Sequence, residues 1–371
     1  MMPSRTLHPQ AQARIQGLLD NLVETGQERG IQMAAYHRGR LVVHAWAGVT
    51  DPASGRKVDG DTLFPVYSTG KGIAATAVHR LVSQGVLDYD TPIAHYWPQF
   101  AAQGKGQITL RHALTHTAGI SHMPATGTVA DLCDWDGMCA KIAALAPLGP
   151  PGTHTSYHAI TFSWLIGEPV RRVTGKPFAR ILEEEICRPL DCPDIYMGIP
   201  DPVEGRVATL ELLHPQPPSA DPGPPDPAIP PWVKPLERFM NRPDLRRACI
   251  PASNGIMTAQ AIARHYAALL ADGAQGVHLL PAQAVRQATT RHRPTDIPAQ
   301  EPALRFGLGY ALFGPAEDAG RAFGHAGYGG SLGLADQAQD LAVGVVKNVL
   351  DNPEPVATLL IQELRQILGA A

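Results

Sequence analysis

Ser68 and Lys71 stand three residues apart in the segment FPVYSTGKGIAATAVHRLVSQG, which puts them one turn apart on one face if the segment is helical. A serine hydroxyl is a poor nucleophile until a base removes its proton. A lysine amine can be that base once burial or nearby positive charge draws its pKa from about 10.4 toward roughly 7–8. Ser-Lys pairs are one variant of the nucleophile–base logic of hydrolytic triads. At a helix N-terminus the free N–H groups and the dipole also favour the negative charge that an attacked carbonyl develops.

The spacing S-x-x-K is expected about once by chance in a chain of this length, and a second copy exists, Ser54 to Lys57. Surroundings separate the two. Ser54 lies in TDPASGRKVDGDT, polar and rich in turn residues, which reads as a solvated loop. Ser68 follows an apolar run (Leu63, Phe64, Val66, Tyr67) and precedes Ile73, Ala77, Val78, Leu81 and Val82 at helical spacing. Gly70 and Gly72 weaken that helix, and close approach of the backbone to a substrate would explain them.

The rest of the chain must position this pair. Residues 8–29 read as an amphipathic helix ending near Gly30, followed by a hairpin of IQMAAYH and RLVVHAWAG turning at Arg38-Gly39. The middle is mainly helical and irregular, with a strong helix pattern at 159–174 that Pro169 is expected to kink or divide. Residues 200–235 hold the run HPQPPSADPGPPDPAIPP and read as a long semi-rigid loop, a surface excursion or a lid over a cleft. A helix at 258–272, strand-like runs near 306–313, 322–325, 331–335 and 341–347, and a helix at 355–368 complete the chain. The expected fold class is α+β: an antiparallel sheet built from both termini and flanked by helices, with an inserted, mainly helical lobe. The sheet lobe is expected to comprise 1–66 and 253–371. The helical lobe, 67–252, would carry the S-x-x-K helix, the Tyr157 loop and the proline-rich loop, with the site in the crevice between them.

Composition narrows the function classes. With 371 residues the chain can bury a large core, and a net charge of −3 gives no basic footprint for nucleic acid. Five cysteines without a C-x-x-C pair argue against a disulfide framework. The N-terminal MMPSRTLHPQAQARIQ lacks the apolar core of a signal peptide, and no long apolar run suggests a membrane span. A cytoplasmic location without membrane partners is therefore expected.

Four ordered landmarks across most of residues 10–350 make the chain resemble the serine β-lactamase and penicillin-binding-protein superfamily, in particular its class C-like esterases and transacylases. Ser68-Thr69-Gly70-Lys71 matches S-x-x-K; ITLRHALTHTAGI (108–120) looks like the T-x-R-x-L-L-x-H-T-S-G block; SYHAITFSWLIGEPVRRVTGKPF (156–178) resembles the segment with the reactive tyrosine; and GHAGYGGSLGLAD (324–336) is similar to the strand bearing a K-T-G-type triad. The resemblance implies Ser68 as nucleophile, Lys71 as base and Tyr157 as the proton relay. It also implies an oxyanion hole from the N–H groups of Ser68 and Tyr328, and substrate contacts from His325, Gly327, Tyr328, Gly329 and His158. Neither a metal nor another cofactor is implied. Two departures matter: Tyr157-His158-Ala159 lacks the amide of Y-x-N, and His325 replaces the K-T-G lysine, leaving a group mostly neutral near pH 7. Both favour uncharged esters or thioesters over β-lactams or D-peptides.

Other constellations compete less well. Gly329-Gly330-Ser331-Leu332-Gly333 satisfies G-x-S-x-G, but a histidine must follow that serine, and the last one, His325, precedes it. His112, His116 and His122 lack metal-ligand spacing and read as structural hydrogen-bonders. His154 and His158 flank Tyr157, where one could tune the phenol, touch substrate or simply pack. Arg171 and Arg172 read as a solvated helix face, and Trp135, Trp164 and Trp232 as core or cleft-wall aromatics.

The expected function is a serine hydrolase working through an acyl-enzyme, a carboxylesterase on small or medium acyl groups. The alternative is a transacylase in which an amine or alcohol intercepts the acyl group. Weak β-lactamase or D-aminopeptidase activity, or a catalytically silent binding protein on the same scaffold, are the lesser readings.

Overall fold

The structure, a computed structural model, describes residues 7–215, 226–292, 305–314, 321–352 and 354–369. Its main sheet has six antiparallel strands in the order β2-β1-β9-β8-β7-β6. These are β1 (Gly30–His37), β2 (Arg40–Gly48), β6 (Ala311–Phe313), β7 (Ala322–Ala326), β8 (Leu332–Asp336) and β9 (Leu341–Lys347). Both ends of the chain thus meet in one sheet, with Ile31 opposite Lys347 and His325 opposite Gly333.

Strands β1 and β9 are buried on both faces, and alternation shows where each side chain goes. Met33, Ala35, Val343 and Val345 pack with Ile15, Leu19 and Leu22 of α1 (Pro9–Glu24) and with Leu360 and Leu364 of the last helix, Val356–Leu368. Their neighbours Ala34, Tyr36, Ala342 and Val346 join the larger core on the other face, against Ile262 and Tyr266 of the helix Ala259–Ala267. Buried on both sides, such strands read as continuous apolar runs.

A second sheet, β3-β5-β4, has three short strands: β3 (Phe64–Tyr67), β4 (Ile195–Met197) and β5 (Gly255–Met257). It joins segments far apart in sequence and delivers the chain to α2 (Gly70–Ser83), which carries Lys71. Every residue of α2 from Gly70 to His79 is buried.

The glycines of α2 answer to packing, not to substrate approach. A Cβ on Gly70 would meet Met197 and the Gly255 backbone at 3.3 and 3.5 Å, and one on Gly72 would lie 2.2 Å from Tyr266 Oη. Tyr266 Oη is buried and has no hydrogen-bond partner among the described residues. Gly72→Ala is therefore expected to cost about 1–3 kcal/mol, as overpacked cores do. Tyr266→Phe removes the obstructing, unpaired hydroxyl, so the double variant should recover most of that loss in denaturant unfolding. A double variant as unstable as Gly72→Ala would disprove this packing account.

Two sequence expectations change. Pro169 does not divide its helix: Phe162–Thr174 is continuous, with Pro169 buried inside it. Arg171 and Arg172 are not merely solvated, because both grip the fully buried carboxylate of Glu168, at 2.7 and 2.6 Å. A buried carboxylate needs such partners. Of the proline-rich loop, residues 216–225 lie outside the described residues; the flanking 226–235 are described and bear on the site.

Candidate active site

The chain enters α2 through a strained corner. Tyr67 has φ +47, a left-handed conformation uncommon for a bulky residue. Its hydroxyl donates to Leu236 O at 2.5 Å, and the corner presents Ser68 just ahead of the Thr69 cap position of α2. The α2 N-terminus is clamped to β8: Thr69 Oγ1 lies 3.1 Å from Ser331 O and 3.0 Å from Ser331 Oγ, and Ser331 Oγ donates to Val66 O at 2.9 Å. Ser331, the G-x-S-x-G serine, is thus a buried structural tie.

Lys71 Nζ lies 2.9 Å from Ser68 Oγ, 2.8 Å from Ala159 O and 2.7 Å from Ala252 O. Its side chain is fully buried, and burial holds the amine well below the ordinary lysine pKa. Counting hydrogens assigns the roles. A neutral amine has two N–H groups and one lone pair; the two carbonyls can only accept, so they take the N–H groups and the lone pair faces the Ser68 hydroxyl. After proton transfer the ammonium has three donors and three acceptors in place. Both states are satisfied without rearrangement, as a base requires.

Tyr157 completes the cluster. Its phenol is hydrogen-bonded to Ser68, and its ring centroid is 4.9 Å from Lys71 Nζ. Burial raises the phenol pKa, opposed by the Ser68 hydrogen bond, so Tyr157 rests as a neutral donor. Its polar neighbours are neutral rather than cationic. Burial is the largest cause of each shift: it lowers His325 to about 3, lowers His158 to about 4 and holds His116 well below the usual value. The Ser68 and Tyr328 amides are not spent on backbone carbonyls among the described residues. The Tyr328 ring packs edge-on against Tyr67, centroids 5.5 Å apart.

A cavity of about 460 Å³ opens at the serine, lined by Ser68, Tyr157, His325 and Tyr328 among apolar side chains. Ile229, Val233, Leu236 and Phe239 form one wall and Phe306 and Phe313 another. The described part of the proline-rich segment and the residues after it therefore cover the cleft. Of the two readings of 200–235, the lid fits Ile229 and Val233, whereas nothing periodic in the sequence singles out Leu236, Phe239 and Ser253, also in the lining. Sequence reasoning could not have found the carbonyls of Ala159 and Ala252, which carry no side-chain identity.

Three expected substrate contacts do not line this cavity. His158 is fully buried, donating from Nδ1 to Ser156 O at 2.6 Å and accepting from Ile120 N at Nε2 at 3.3 Å, which fixes the loop that holds Tyr157. Gly327 lies beneath the Tyr67 corner, where a Cβ would sit 2.1 Å from Val66 O. Gly329, with φ +84, packs on Leu350 and lines a different cavity. Among the described residues no group of three or more His, Cys, Asp or Glu could hold a metal, and no helix is long and apolar enough to cross a membrane. All five cysteines are free thiols.

Comparison with known proteins finds relatives over most of the chain. A family model described as beta-lactamase matches residues 15–366. The esterase/beta-lactamase LipL of Mycobacterium tuberculosis is 34% identical over 347 residues, covering 87% of this chain and 78% of its own. A solved family VIII carboxylesterase superposes with a TM-score of 0.84 at 31% identity, over 97% of this chain and 98% of its own. A penicillin-binding-protein homologue from Caulobacter crescentus gives 0.83 at 34% identity, over 98% and 99%.

Proposed function

The chain belongs to the beta-lactamase family, and we propose that it is a carboxylesterase that hydrolyses uncharged esters of small or medium acyl groups through an acyl-enzyme on Ser68. The observation that carries this reading is the fully buried Lys71 amine, held by the carbonyls of Ala159 and Ala252 at 2.9 Å from Ser68 Oγ, where burial draws its pKa well below the ordinary lysine value. Ser68 Oγ attacks the ester carbonyl as its proton passes to Lys71 Nζ. The carbonyl oxygen becomes an oxyanion, received by the N–H groups of Ser68 and Tyr328. As the C–O bond breaks, the Tyr157 phenol protonates the departing alkoxide and recovers a proton from Lys71. Water then attacks the acyl-enzyme, giving up its proton along the same path, and the acid is released.

The cavity sets the substrate class. Its lining contains no Lys or Arg side chain, and His325 is uncharged. A substrate carboxylate would lose its hydration there without a counter-charge. Apolar walls around the acyl group also restrict water, which favours a second outcome of the same chemistry, transfer of the acyl group to an alcohol or amine.

Activated acetyl and butyryl esters should give burst kinetics and a mass increase equal to the acyl group on the peptide holding Ser68. A chromogenic cephalosporin should turn over more slowly by roughly 10- to 100-fold in kcat/KM, the worth of one missing hydrogen bond to a charged group. A cephalosporin preferred over esters would overturn the substrate assignment, and an acyl adduct mapped to any other residue would overturn the mechanism.

A further inference from the structure

Tyr157 is carried by a stretch without helix or strand, residues 154–158, yet its phenol must stay on Ser68. Both of its neighbours are tied to a single residue. Ser156 N donates to His116 O at 2.9 Å, and His158 N donates to His116 Nδ1 at 3.1 Å. The imidazole also packs on the Tyr157 ring, centroids 4.8 Å apart, and edge-on against Phe306 at 4.4 Å. His116 is 1% exposed and follows the short helix Leu110–Leu114 at φ +59, a left-handed conformation that histidine and asparagine enter more readily than most residues. A backbone N–H can only donate, so Nδ1 is the acceptor and the ring proton sits on Nε2. Nε2 has no partner among the described residues, which leaves the His158 N–H as the ring's one hydrogen bond among them. Burial, and then the nearby His158, Lys71 and His325, hold the imidazole pKa well below its usual value, so the acceptor persists.

We infer that His116 is a positioning residue for the proton path: it clamps the loop on both sides of Tyr157 and so sets the phenol on Ser68. The role rests on the esterase reading, whereas the clamp stands on the contacts alone. Without Nδ1 the His158 N–H would be buried and unpaired, a state that proteins avoid, and the loop would have to shift to satisfy it. A displacement of about 1 Å in a reacting group costs roughly 10²-fold in rate. The same loop serves the base. Ala159 N donates to Tyr157 O at 3.0 Å, and Ala159 O accepts from Lys71 Nζ at 2.8 Å. His116 thus acts through the backbone on both ends of the proton path. His158 has the opposite tautomer, with Nδ1–H on Ser156 O and Nε2 accepting from Ile120 N. The two histidines therefore tie the 116–120 segment to the Tyr157 loop in both directions.

The test compares kcat on ethyl butyrate and on 4-nitrophenyl butyrate, since only ethoxide needs a proton to leave. His116→Phe keeps a ring against Tyr157 and Phe306 but offers no acceptor. It should lower kcat on ethyl butyrate by about 10²-fold and on the nitrophenyl ester by no more than about tenfold. His116→Asn carries Oδ1 two bonds from Cβ, where Nδ1 stands, and should return the ratio of the two rates to within about threefold of the unmodified protein. Leu19→Ala, in the core on the other face of the main sheet, should lower stability and leave that ratio unchanged. Should His116→Phe fail to fold, His116→Gly, which accepts φ +59 and lacks both ring and acceptor, carries the same expectation. Equal losses on the two esters, or His116→Asn performing no better than His116→Phe, would overturn the assignment. Exchange of the His158 amide hydrogen reads the clamp without turnover: it should quicken by at least about tenfold in His116→Phe and hardly change in His116→Asn. An unmodified protein that hydrolyses neither ester would sink the esterase reading, and the exchange rates would then decide the clamp alone. Hydrolysis of both esters at a ratio indifferent to His116→Phe would remove the positioning role and keep the esterase.

Discussion

Ser68→Ala is expected to lower kcat for butyryl esters by roughly 10⁴- to 10⁶-fold and to eliminate both the burst and the acyl adduct. Lys71→Met should be nearly as damaging, because without the amine nothing in the cluster can take the Ser68 proton: Tyr157 is a neutral phenol and Ala159 and Ala252 offer only carbonyls. The two losses should not add, since nucleophile and base act as one unit. Lys71→Arg should rescue nothing, as a guanidinium keeps its charge and cannot serve as base. The contrast is Ser331→Ala. It removes hydrogen bonds tying Val66 and Thr69 to β8, so the expected cost is about 1 kcal/mol of stability per bond, with the burst and adduct retained. If instead Ser331→Ala removed the adduct and Ser68→Ala kept it, the nucleophile would be misassigned. Kinetics and intact mass on the four variants decide the matter.

How far the sequence reveals this arrangement depends on what kind of group is involved. Ser68 and Lys71 are legible because a helix turns a three-residue interval into contact, and the apolar spacing from Ile73 to Val82 makes that helix plain. Strands β1, β2 and β9 are legible as runs of apolar residues at the two ends of the chain. The β3-β5-β4 sheet is not. Its strands have three or four residues each and unite positions near 65, 196 and 256, so no local pattern exceeds the noise. The same long-range closure brings Ala159 O and Ala252 O to Lys71, and Leu236 and Phe239 to the cleft. Gly72 misleads for a related reason: its partner is Tyr266, nearly two hundred residues away, and the contact becomes visible only in three dimensions. Resemblance conveys roles but not every contact. His158 and Gly327, implied as substrate-binding, do not line the serine cavity: His158 ties the loop that holds Tyr157, and Gly327 leaves room for Val66 O beneath the corner before Ser68.

The pH profile separates the members of the cluster. Lys71 acts only when neutral, so kcat/KM should fall as pH drops through its lowered pKa and hold steady above it. The histidines around the site cannot produce this limb. Burial lowers His325 to about 3 and His158 to about 4 and holds His116 well below its usual value, so all three are neutral near neutral pH and an acid limb there is not theirs. His325→Gln should therefore keep the acid limb in place, and its disappearance would name His325 as the base. On the alkaline side burial raises the Tyr157 pKa, so no basic limb is expected at moderately alkaline pH. Tyr157→Phe should lower kcat for alkyl esters by about 10²- to 10⁴-fold, the usual range for one positioned acid. Nitrophenyl esters should suffer far less, because nitrophenolate leaves without being protonated. That difference distinguishes a proton donor from a wall of the cavity, whose truncation would slow both ester classes alike. Equal losses on alkyl and nitrophenyl butyrates would remove Tyr157 from the proton path and leave it as packing for Lys71.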